Sequence, residues 1–543
     1  MSTKERFDEL AQEMLKKQMS HDPLTATYLG CHDYDALLPT PAPEGDRLSL
    51  QLLRESLDQL KGLDREQLDG GRLLDLDLLE WTTELSAFYL EEVKRYRLGG
   101  CPVEYFSGSL HPLFAREFAP LEERVKSITG RLSAMSQFLE LSKPAYEEPV
   151  AIFVEEHIAG CPAACEFIET IVNTVSAQIP ANLAAELKKE AKAAQEKLMD
   201  FHKWLKTDVM PRSGMNYGLG KENFAQMIAT RRLGLTLEEV RQLGEESFAQ
   251  LDEACRQEAE KIAPGKGIEG ARQSLREEKF GSFDDILQAY REAIELARKV
   301  VQDSGFASLP QNDALSVEPT PPHLAISTPA AAYFPPEPLG PPPPLGIYVV
   351  TEPSSESQLA EHYRASIINV SFHEAYPGHH LQALRALEHP SPIRLLVNGI
   401  EFVEGWAHYC EEEMYKLSPQ SHRGLRLAQL LDARYRALRI VLDVGLHCGD
   451  ISYEEGQRLM VEKLGAAPET ARAEVCWYCR EPGYAMSYLL GKILFQRLRA
   501  KAEKMMGDKF KARDFHDRIL YQGNLPMWAL ERVISEEYGE SSK

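Results

Sequence analysis

The chain has 543 residues, a net charge of −22 and an isoelectric point near 5.3. Its shares of hydrophobic residues (43%) and charged residues (27%) are typical of a folded globular protein and argue against general disorder. Nucleic acid and anionic membranes are disfavoured as partners, because both carry the same negative charge as the protein.

The beginning of the chain predicts an amphipathic helix and not a signal peptide, because Phe7, Leu10 and Met14 are at helical spacing without a continuous apolar run. No run in the sequence approaches the roughly eighteen apolar residues that a membrane helix needs. Nine cysteines are too few for a disulfide framework in a chain of this length, and their odd number is typical of reduced thiols. We therefore expect a cytoplasmic protein.

Helical periodicity dominates the sequence, and strand patterns are scarce. Apolar residues repeat at helical spacing in three clear segments: 73–90, 183–210 and 284–300. Thr236 and Glu239 have the spacing of a capping box, which predicts the start of a further helix. Because no low-complexity linker divides the chain, we predict a mostly α fold in one large helical unit over residues 1–543, with a deep cleft.

A proline-rich stretch interrupts this pattern. Residues 308–353 contain 13 of the 33 prolines, so they cannot be helical and separate a helical part (1–307) from a catalytic part (354–543). The stretch ends in the β-branched run 346–351, which predicts an edge strand just before the metal-binding helix.

Two interpretations of the proline-rich stretch remain. It is either a loop and strand that wall the cleft, or a polyproline II ligand for an adaptor domain. The apolar residues in its interior favour the wall; they are Leu324, Ile326, Tyr333 and Phe334.

The segment 371–382 carries the residues with the clearest chemistry. It places the pair His373–Glu374 six residues before the pair His379–His380. Neutral imidazole nitrogens bind zinc, and a carboxylate beside the first ligand can deprotonate a water at the metal. The segment therefore predicts a zinc hydrolase site with Glu374 as the general base.

The spacing differs from the common HExxH motif, in which the two histidines are one helical turn apart. In a regular helix, His379 would lie about 240° around the axis from His373, and His380 roughly 10 Å along it. Pro377 and Gly378 can distort the helix between them. A two-residue insertion makes His379 the second ligand, whereas a three-residue bulge would present His380.

A third ligand is expected from the next helix, where Glu404 lies in an amphipathic segment with apolar neighbours. Glu411 and Glu412 are disfavoured, because they precede Glu413 and Lys416 and look like the solvated end of that helix. His408, one turn after Glu404, is a candidate for a supporting partner or a substrate donor.

Other interpretations of the same residues stay open. A structural zinc site would need a fourth protein ligand, His380 or His408. The alternative from another class is a metal-free helical scaffold or peptide-binding protein that presents the proline-rich segment. A single CxxC, Cys476 and Cys479, could be half of a zinc site or a redox pair, but no second CxxC completes it.

Several motifs of the chain resemble those of the family known as domain of unknown function 885. The matching segments are His373–Gln382 (HEAYPGHHLQ), Glu404–Glu411 (EGWAHYCE) and Pro482–Gly491 (PGYAMSYLLG). Weaker matches near both ends extend the resemblance over nearly the whole chain. That family is similar to the gluzincin metallopeptidases and, more distantly, to helical oligopeptidases and carboxypeptidases.

The resemblance implies one zinc ion per chain, held by His373, His379 and Glu404. It implies Glu374 as the base and either Tyr488 or His447 as the donor to the oxyanion. The implied substrate is a short peptide or a related small amide. Manganese, cobalt or iron would suit the same donors, and the oligomeric state is not indicated.

Two positions depart from the family pattern. Tyr484 stands where glutamine is usual, and Leu489 stands where lysine is usual. These departures put substrate detail in doubt, but not the metal.

Overall fold

The computed structural model of the chain describes residues 1–277, 280–320, 330–418 and 422–540. These residues are mostly helical with one small sheet, which confirms the predicted fold class. Contacts divide the chain into two compact units, Met1–Tyr217 with Glu337–Pro342, and Gly218–Pro336 with Pro343–Lys543. The single domain and its deep cleft stay predictions. Among the described residues, every helix is too short or too polar to cross a membrane.

The first unit is built from eight α-helices. They are α1 (Thr3–His21), α2 (Pro23–Leu29), α3 (Glu44–Lys61), α4 (Gly70–Ala87), α5 (Pro102–Ala115), α6 (Leu121–Ser142), α7 (Ala151–Val175) and α8 (Ala181–Trp204). Helices α5 to α8 share an apolar core that includes Phe106, Leu132 and Leu187, each at most 2% exposed. The predicted face of α1 is buried as expected.

The remaining helices belong to the second unit. They are α9 (Lys221–Thr230), α10 (Leu237–Ile262), α11 (Gly267–Leu275), α12 (Phe283–Ser304), α13 (Glu356–Leu359), α14 (Arg364–Glu374), α15 (His379–Ala386), α16 (Ile400–Leu417), α17 (Leu425–Cys448), α18 (Tyr453–Leu464), α19 (Pro468–Arg480), α20 (Ser487–Met506), α21 (Ala512–Tyr521) and α22 (Met527–Glu540). The predicted capping box starts α10, with Thr236 and Glu239 bonded reciprocally.

Short 3₁₀ and π segments complete the helical structure. The 3₁₀ turns are His32–Tyr34, Arg65–Gln67, Arg95–Leu98, Lys143–Ala145, Met210–Arg212, Ile393–Leu395 and Gly507–Lys509, and the π segments are Phe88–Val93 and Leu205–Val209. The two π segments continue α4 and α8. The helix predicted over 73–90 therefore ends in a wider turn, and the one predicted over 183–210 passes through a wider turn into the 3₁₀ turn Met210–Arg212.

A three-stranded sheet lies in the proline-rich stretch, with the strands β1 (Ala314–Pro319), β2 (Ala331–Phe334) and β3 (Leu345–Val350). The strand predicted at 346–351 is present as β3, but its assignment to an edge is wrong. β3 is central, because β1 pairs with it in parallel and β2 pairs with it antiparallel. Part of the predicted wall, with Leu324 and Ile326, lies outside the described residues.

Close contact between α16 and α20 positions the segment that carries Glu404. A Cβ atom on Gly405 would lie 2.3 Å from the backbone of Gly491, and one on Gly491 would lie 1.9 Å from the carbonyl oxygen of Glu401. Only glycine fits at both positions, since backbone atoms cannot move aside as a side chain can. The two glycines come from two of the sequence motifs noted above.

Candidate metal centre

The pairs His373–Glu374 and His379–His380 lie on separate helices. The sequence predicted one helix with a bulge, whereas the structure has a full break: α14 ends at Glu374 and α15 begins at His379. The amide of Gly378 donates to the carbonyl of Phe372, and the amide of Leu381 donates to that of Ala375, so each bond spans six residues instead of four.

The residues of the break fit it locally. A Cβ atom on Gly378 would lie 1.7 Å from the carbonyl oxygen of His373, so no other residue fits there. The peptide bond between Tyr376 and Pro377 is cis. The carbonyl of Pro377 accepts a 2.8 Å hydrogen bond from the indole nitrogen of Trp406. The break is thereby attached to α16, the helix that carries Glu404.

The break brings His373 and His379 together. Their ring centres are 4.9 Å apart and their planes are perpendicular. The Oε2 atom of Glu404 lies 3.7 Å from Nε2 of His373 and 3.5 Å from Nε2 of His379. One donor atom from each of the three residues lies within 4.8 Å of the others.

His380 points away from this cluster. Its Nε2 lies 3.3 Å from the carbonyl oxygen of Asp313 and must be the donor, because a carbonyl can only accept. In a neutral ring Nδ1 is then the acceptor, and it accepts from the hydroxyl of Tyr333 at 3.0 Å. Burial lowers the pKa of His380 to about 4, which keeps the ring neutral. Of the two histidines that the sequence left open, the structure groups His379 with the other donors.

Glu411 corrects a prediction made from the sequence. It was expected at the solvated end of α16, yet it is fully buried, and its Oε1 accepts a 2.8 Å hydrogen bond from Nδ1 of His373. α14 and α17 both pack on α16, and they cover this part of it. Glu411 therefore keeps Nδ1 of His373 as a donor and orients the ring so that Nε2 faces Glu404.

Further polar side chains hold Glu411. Asn369 donates to its Oε2 at 3.2 Å, Nδ1 of His408 lies 3.3 Å from the same oxygen, and Arg436 lies 3.5 Å from Oε1. Burial alone would raise the pKa of Glu411, but Arg436 and the neighbouring histidines hold it well below its usual range. His408 therefore lies beside Glu411 and is not among the three donors, and both of its predicted roles stay predictions.

The electrostatics of the cluster favour a cation. Burial would raise the pKa of Glu404, but His373 and His379 lower it, so the carboxylate is ionised. Burial would likewise lower the pKa of His373, but Glu404 and Glu411 raise it to about 10. The two buried carboxylates beside these imidazoles favour an additional positive charge, which a proton or a metal ion can supply.

The donor set fits a zinc ion. Oε2 of Glu404 is buried and has no hydrogen-bond partner among the described residues, although it lies between two imidazole nitrogens. A buried carboxylate oxygen without a partner is costly, and coordination of a metal would satisfy it. Two nitrogens and one carboxylate oxygen are ligands that zinc accepts.

Tyr484, which was noted only as a departure from a family pattern, touches the cluster. Its hydroxyl donates to Oε1 of Glu404 at 3.2 Å. Tyr488 lies one turn further along the chain, with its ring centre 6.1 Å from that of Tyr484. Burial and the charge of Glu404 raise the pKa of Tyr488 well above its usual value, so its hydroxyl keeps its proton at neutral pH.

Two further residues predicted for the site, Glu374 and His447, are not among the three donors. Glu374 directly follows His373 and is half-buried at the end of α14. His447 is buried near the end of α17, where its Nε2 lies 2.9 Å from the carbonyl of Tyr478. It follows Arg436 by eleven residues, about 16 Å along the helix, so the structure does not group it with the donors.

The CxxC pair is helical and buried. Cys476 and Cys479 both lie on α19. Neither belongs to a group of three potential metal ligands among the described residues.

Sequence reasoning missed Glu411, Asn369 and Arg436. Glu411 follows Glu404 by seven residues, two helical turns, so it lies on the same face of α16. That spacing was the available signal. Asn369 and Arg436 come from other helices, and no local pattern points to them.

The fold and this cluster define a mostly helical protein with a histidine, histidine and glutamate donor set. The family described as "Bacterial protein of unknown function (DUF885)" matches residues 23–534, and the chain belongs to that family. No curated protein sequence matches the chain.

Two solved structures are similar over their full length. One is a "putative lipoprotein of unknown function" from Shewanella oneidensis, with a TM-score of 0.79, 19% identity, and coverage of 97% of this chain and 99% of the other. The second is a "putative lipoprotein" from Colwellia psychrerythraea, with a TM-score of 0.83, 18% identity, and coverage of 99% and 100%. At these identities, the likeness extends to the fold alone.

Proposed function

We propose that the chain is a zinc-dependent hydrolase that cleaves peptide bonds, or related amides, of short peptides. The observation that carries the proposal is the buried Oε2 of Glu404, which faces Nε2 of both His373 and His379 at 3.5 to 3.7 Å. The order of the residues along the chain supports a gluzincin-like site: a histidine with the base beside it, a second histidine, and a glutamate from a later helix.

A catalytic ion is favoured over a structural one. Structural zinc sites have four protein ligands, whereas catalytic sites have three and leave one position for water or substrate. His380 is bonded to Tyr333 and Asp313, and His408 faces Glu411. Neither of the two fourth ligands that the sequence suggested belongs to the donor group of His373, His379 and Glu404 among the described residues.

Glu374 is the proposed base. It directly follows His373 at the end of α14 and is not among the three donors. From there its carboxylate would take a proton from the attacking water and pass it to the leaving amine. A bound zinc ion would polarise the substrate carbonyl as a Lewis acid. Tyr488, protonated and half-buried, is the proposed donor to the negative oxygen that develops during the attack.

The sheet favours a peptide as the substrate. β2 is an outer strand, and its Tyr333 is bonded to His380, the residue after the ligand His379. An extended peptide can add to an outer strand through main-chain hydrogen bonds. Such a peptide would lie along β2 and reach the cluster from that side. The central strand β3 cannot serve in this way, since both of its edges are paired.

The test compares Glu374→Gln with His373→Ala. We expect the wild-type protein to hold one zinc ion at the cluster of His373, His379 and Glu404 and to hydrolyse members of a peptide library. Glu374→Gln should keep the zinc and lose turnover, because the amide cannot accept the proton. His373→Ala should contain one zinc ion per chain fewer than the wild type and should lose turnover. Elemental analysis and a peptidase assay, each on protein purified without chelator, measure the two properties.

A matched control separates this effect from the loss of any carboxylate. Glu388→Gln removes an exposed carboxylate from the same stretch of chain, one that pairs with Arg385 three residues before it, so the variant should keep both zinc and activity. An active Glu374→Gln enzyme would refute the role of the base. A wild-type protein that takes up no zinc would instead favour the metal-free scaffold.

We propose a cytoplasmic location, which the odd number of cysteines supports. None of the nine cysteines forms a disulfide in the structure. The names of the two similar structures suggest a lipid-anchored location for those proteins. Fractionation of cells that express the full-length protein distinguishes the two, because an anchored protein would sediment with membranes.

A further inference from the structure

A second group of potential metal ligands lies in the first unit, apart from the cluster described above. It consists of Cys101, Glu104 and His157, and one donor atom from each lies within 4.8 Å of the others. The three residues span 57 positions of the sequence and combine sulfur, oxygen and nitrogen donors. No part of the proposed hydrolysis uses them.

Two packed helices bring these residues together. Cys101 directly precedes α5 and Glu104 lies in its first turn, while His157 lies on α7, which packs against α5. Anionic ligands are favoured at the first turn of a helix by the helix dipole. The thiol and the carboxylate therefore occupy positions that suit their negative forms.

His157 is a fixed member of the group. It is 1% exposed, and its Nδ1 lies 2.8 Å from the hydroxyl of Tyr146. A tyrosine hydroxyl can accept a hydrogen bond, so Nδ1 can carry the proton and leave Nε2 as the ligand atom. The ring of Tyr146 is held in turn by the perpendicular ring of Trp204. Metal-bound histidines commonly have a partner of this kind on their second nitrogen.

We propose that Cys101, Glu104 and His157 form a second binding site, for a thiophilic divalent cation such as Zn²⁺. Zinc bonds of about 2.0 to 2.3 Å require ligand atoms about 3.3 to 3.8 Å apart. Cys101 is half-buried and Glu104 is exposed, so both side chains can close on the ion while His157 stays in place. The ion would link the start of α5 to α7 and leave a fourth position to solvent.

Cobalt is the probe that separates this site from the first one. Thiolate ligands give bound Co²⁺ an ultraviolet charge-transfer band, and the cluster of His373, His379 and Glu404 contains no sulfur. Full-length protein, stripped of metal and kept reduced, should bind about two Co²⁺ ions per chain and show the band. Cys101→Ser should bind about one ion and lose the band.

Further variants make the test specific. Glu104→Gln, an exposed change that should not disturb folding, should weaken the Co²⁺ affinity of the site about tenfold or more. Cys31→Ser, which removes another half-buried thiol of the same unit, should keep the band. His373→Ala should also keep the band, because its substitution affects only the first cluster. The test of the second site therefore does not depend on the proposed hydrolase site. A band that is absent from the wild type, or that survives in Cys101→Ser, would overturn the second site.

Discussion

Glu411 would act on the proposed metal ion through His373. Its Oε1 accepts the proton of Nδ1 at 2.8 Å, so Glu411→Gln would replace a charged acceptor by a neutral amide and weaken the hold on the ring. Partners of this kind typically change metal affinity by about 10- to 100-fold. We expect a loss of zinc affinity in that range for Glu411→Gln, measured by competition with a chromophoric chelator.

The matched control lies two residues further along the same helix. Glu413 pairs with Arg499 and Lys416 instead of a histidine, so Glu413→Gln should leave zinc affinity unchanged. Equal affinities in the wild type and both variants would show that Glu411 merely fills the buried space beside the ring.

Glu404 and Glu411 show which single residues of the site could be predicted from the sequence and which could not. Glu404 has apolar neighbours along the chain and was recognised. Glu411 begins a run of three acidic residues, which looked like a solvated helix end. Its burial depends on α14 and α17, which pack there from other parts of the chain. A local charge pattern does not contain that information.

At the scale of elements, the close contact between α16 and α20 positions Glu404, and a substitution at this contact can test that role. A Cβ atom on Gly491 would meet the carbonyl of Glu401 at 1.9 Å, so Gly491→Ala must push the helices apart. Overpacking typically costs about 1 to 3 kcal/mol, and contact with backbone puts this case at the upper end. Because α16 carries Glu404, the variant should also lose zinc affinity. Chemical unfolding and zinc titration measure the two effects.

Gly108 provides the matched control. It lies within α5, and a Cβ atom there would meet nothing within 4 Å. Gly108→Ala should therefore be neutral or stabilising by about 0.4 to 1 kcal/mol, since alanine reduces the entropy of the unfolded chain. If Gly491→Ala were as stable as Gly108→Ala, the close approach of the two helices would be wrong.

Several helices and one capping box could be predicted from the sequence, whereas the sheet and the helix break could be predicted only in part. The capping box of α10 is a local pattern of two residues, and it was recognised. Pro377 and Gly378 signalled a distortion, but the six-residue hydrogen bonds across it depend on the whole segment. The central position of β3 depends on β1 and β2, which lie among prolines that obscure strand patterns.

At the scale of the whole molecule, one segment joins a distant part of the chain. Glu337–Pro342, from the proline-rich stretch, belongs to the first unit. The amide of Leu339 donates to the carbonyl of Leu29 at 2.7 Å, and Glu337 pairs with Arg116 at 2.8 Å. Such a pairing across more than two hundred residues has no local signature, so the sequence did not predict it.

His32 gives this attachment a pH dependence. Its Nδ1 lies 2.8 Å from Asp35, and its Nε2 lies 3.8 Å from Glu337. Burial alone would lower the pKa of His32, but the two carboxylates raise it from 6.5 to about 9. Because the folded state binds the proton more tightly, the stabilisation is complete below pH 6.5 and is lost as the pH rises through 9.

We therefore expect the wild type to lose about 1 kcal/mol of stability relative to His32→Gln between pH 6.5 and 9, a modest value because the pair is partly exposed. Unfolding by urea at the two pH values measures the difference. His202→Gln is the control: burial and Lys206 lower the pKa of His202, so it titrates below this window and its removal should not change the pH dependence. A parallel decline in the wild type and His32→Gln would mean that the proton on His32 does not stabilise the attachment of Glu337–Pro342.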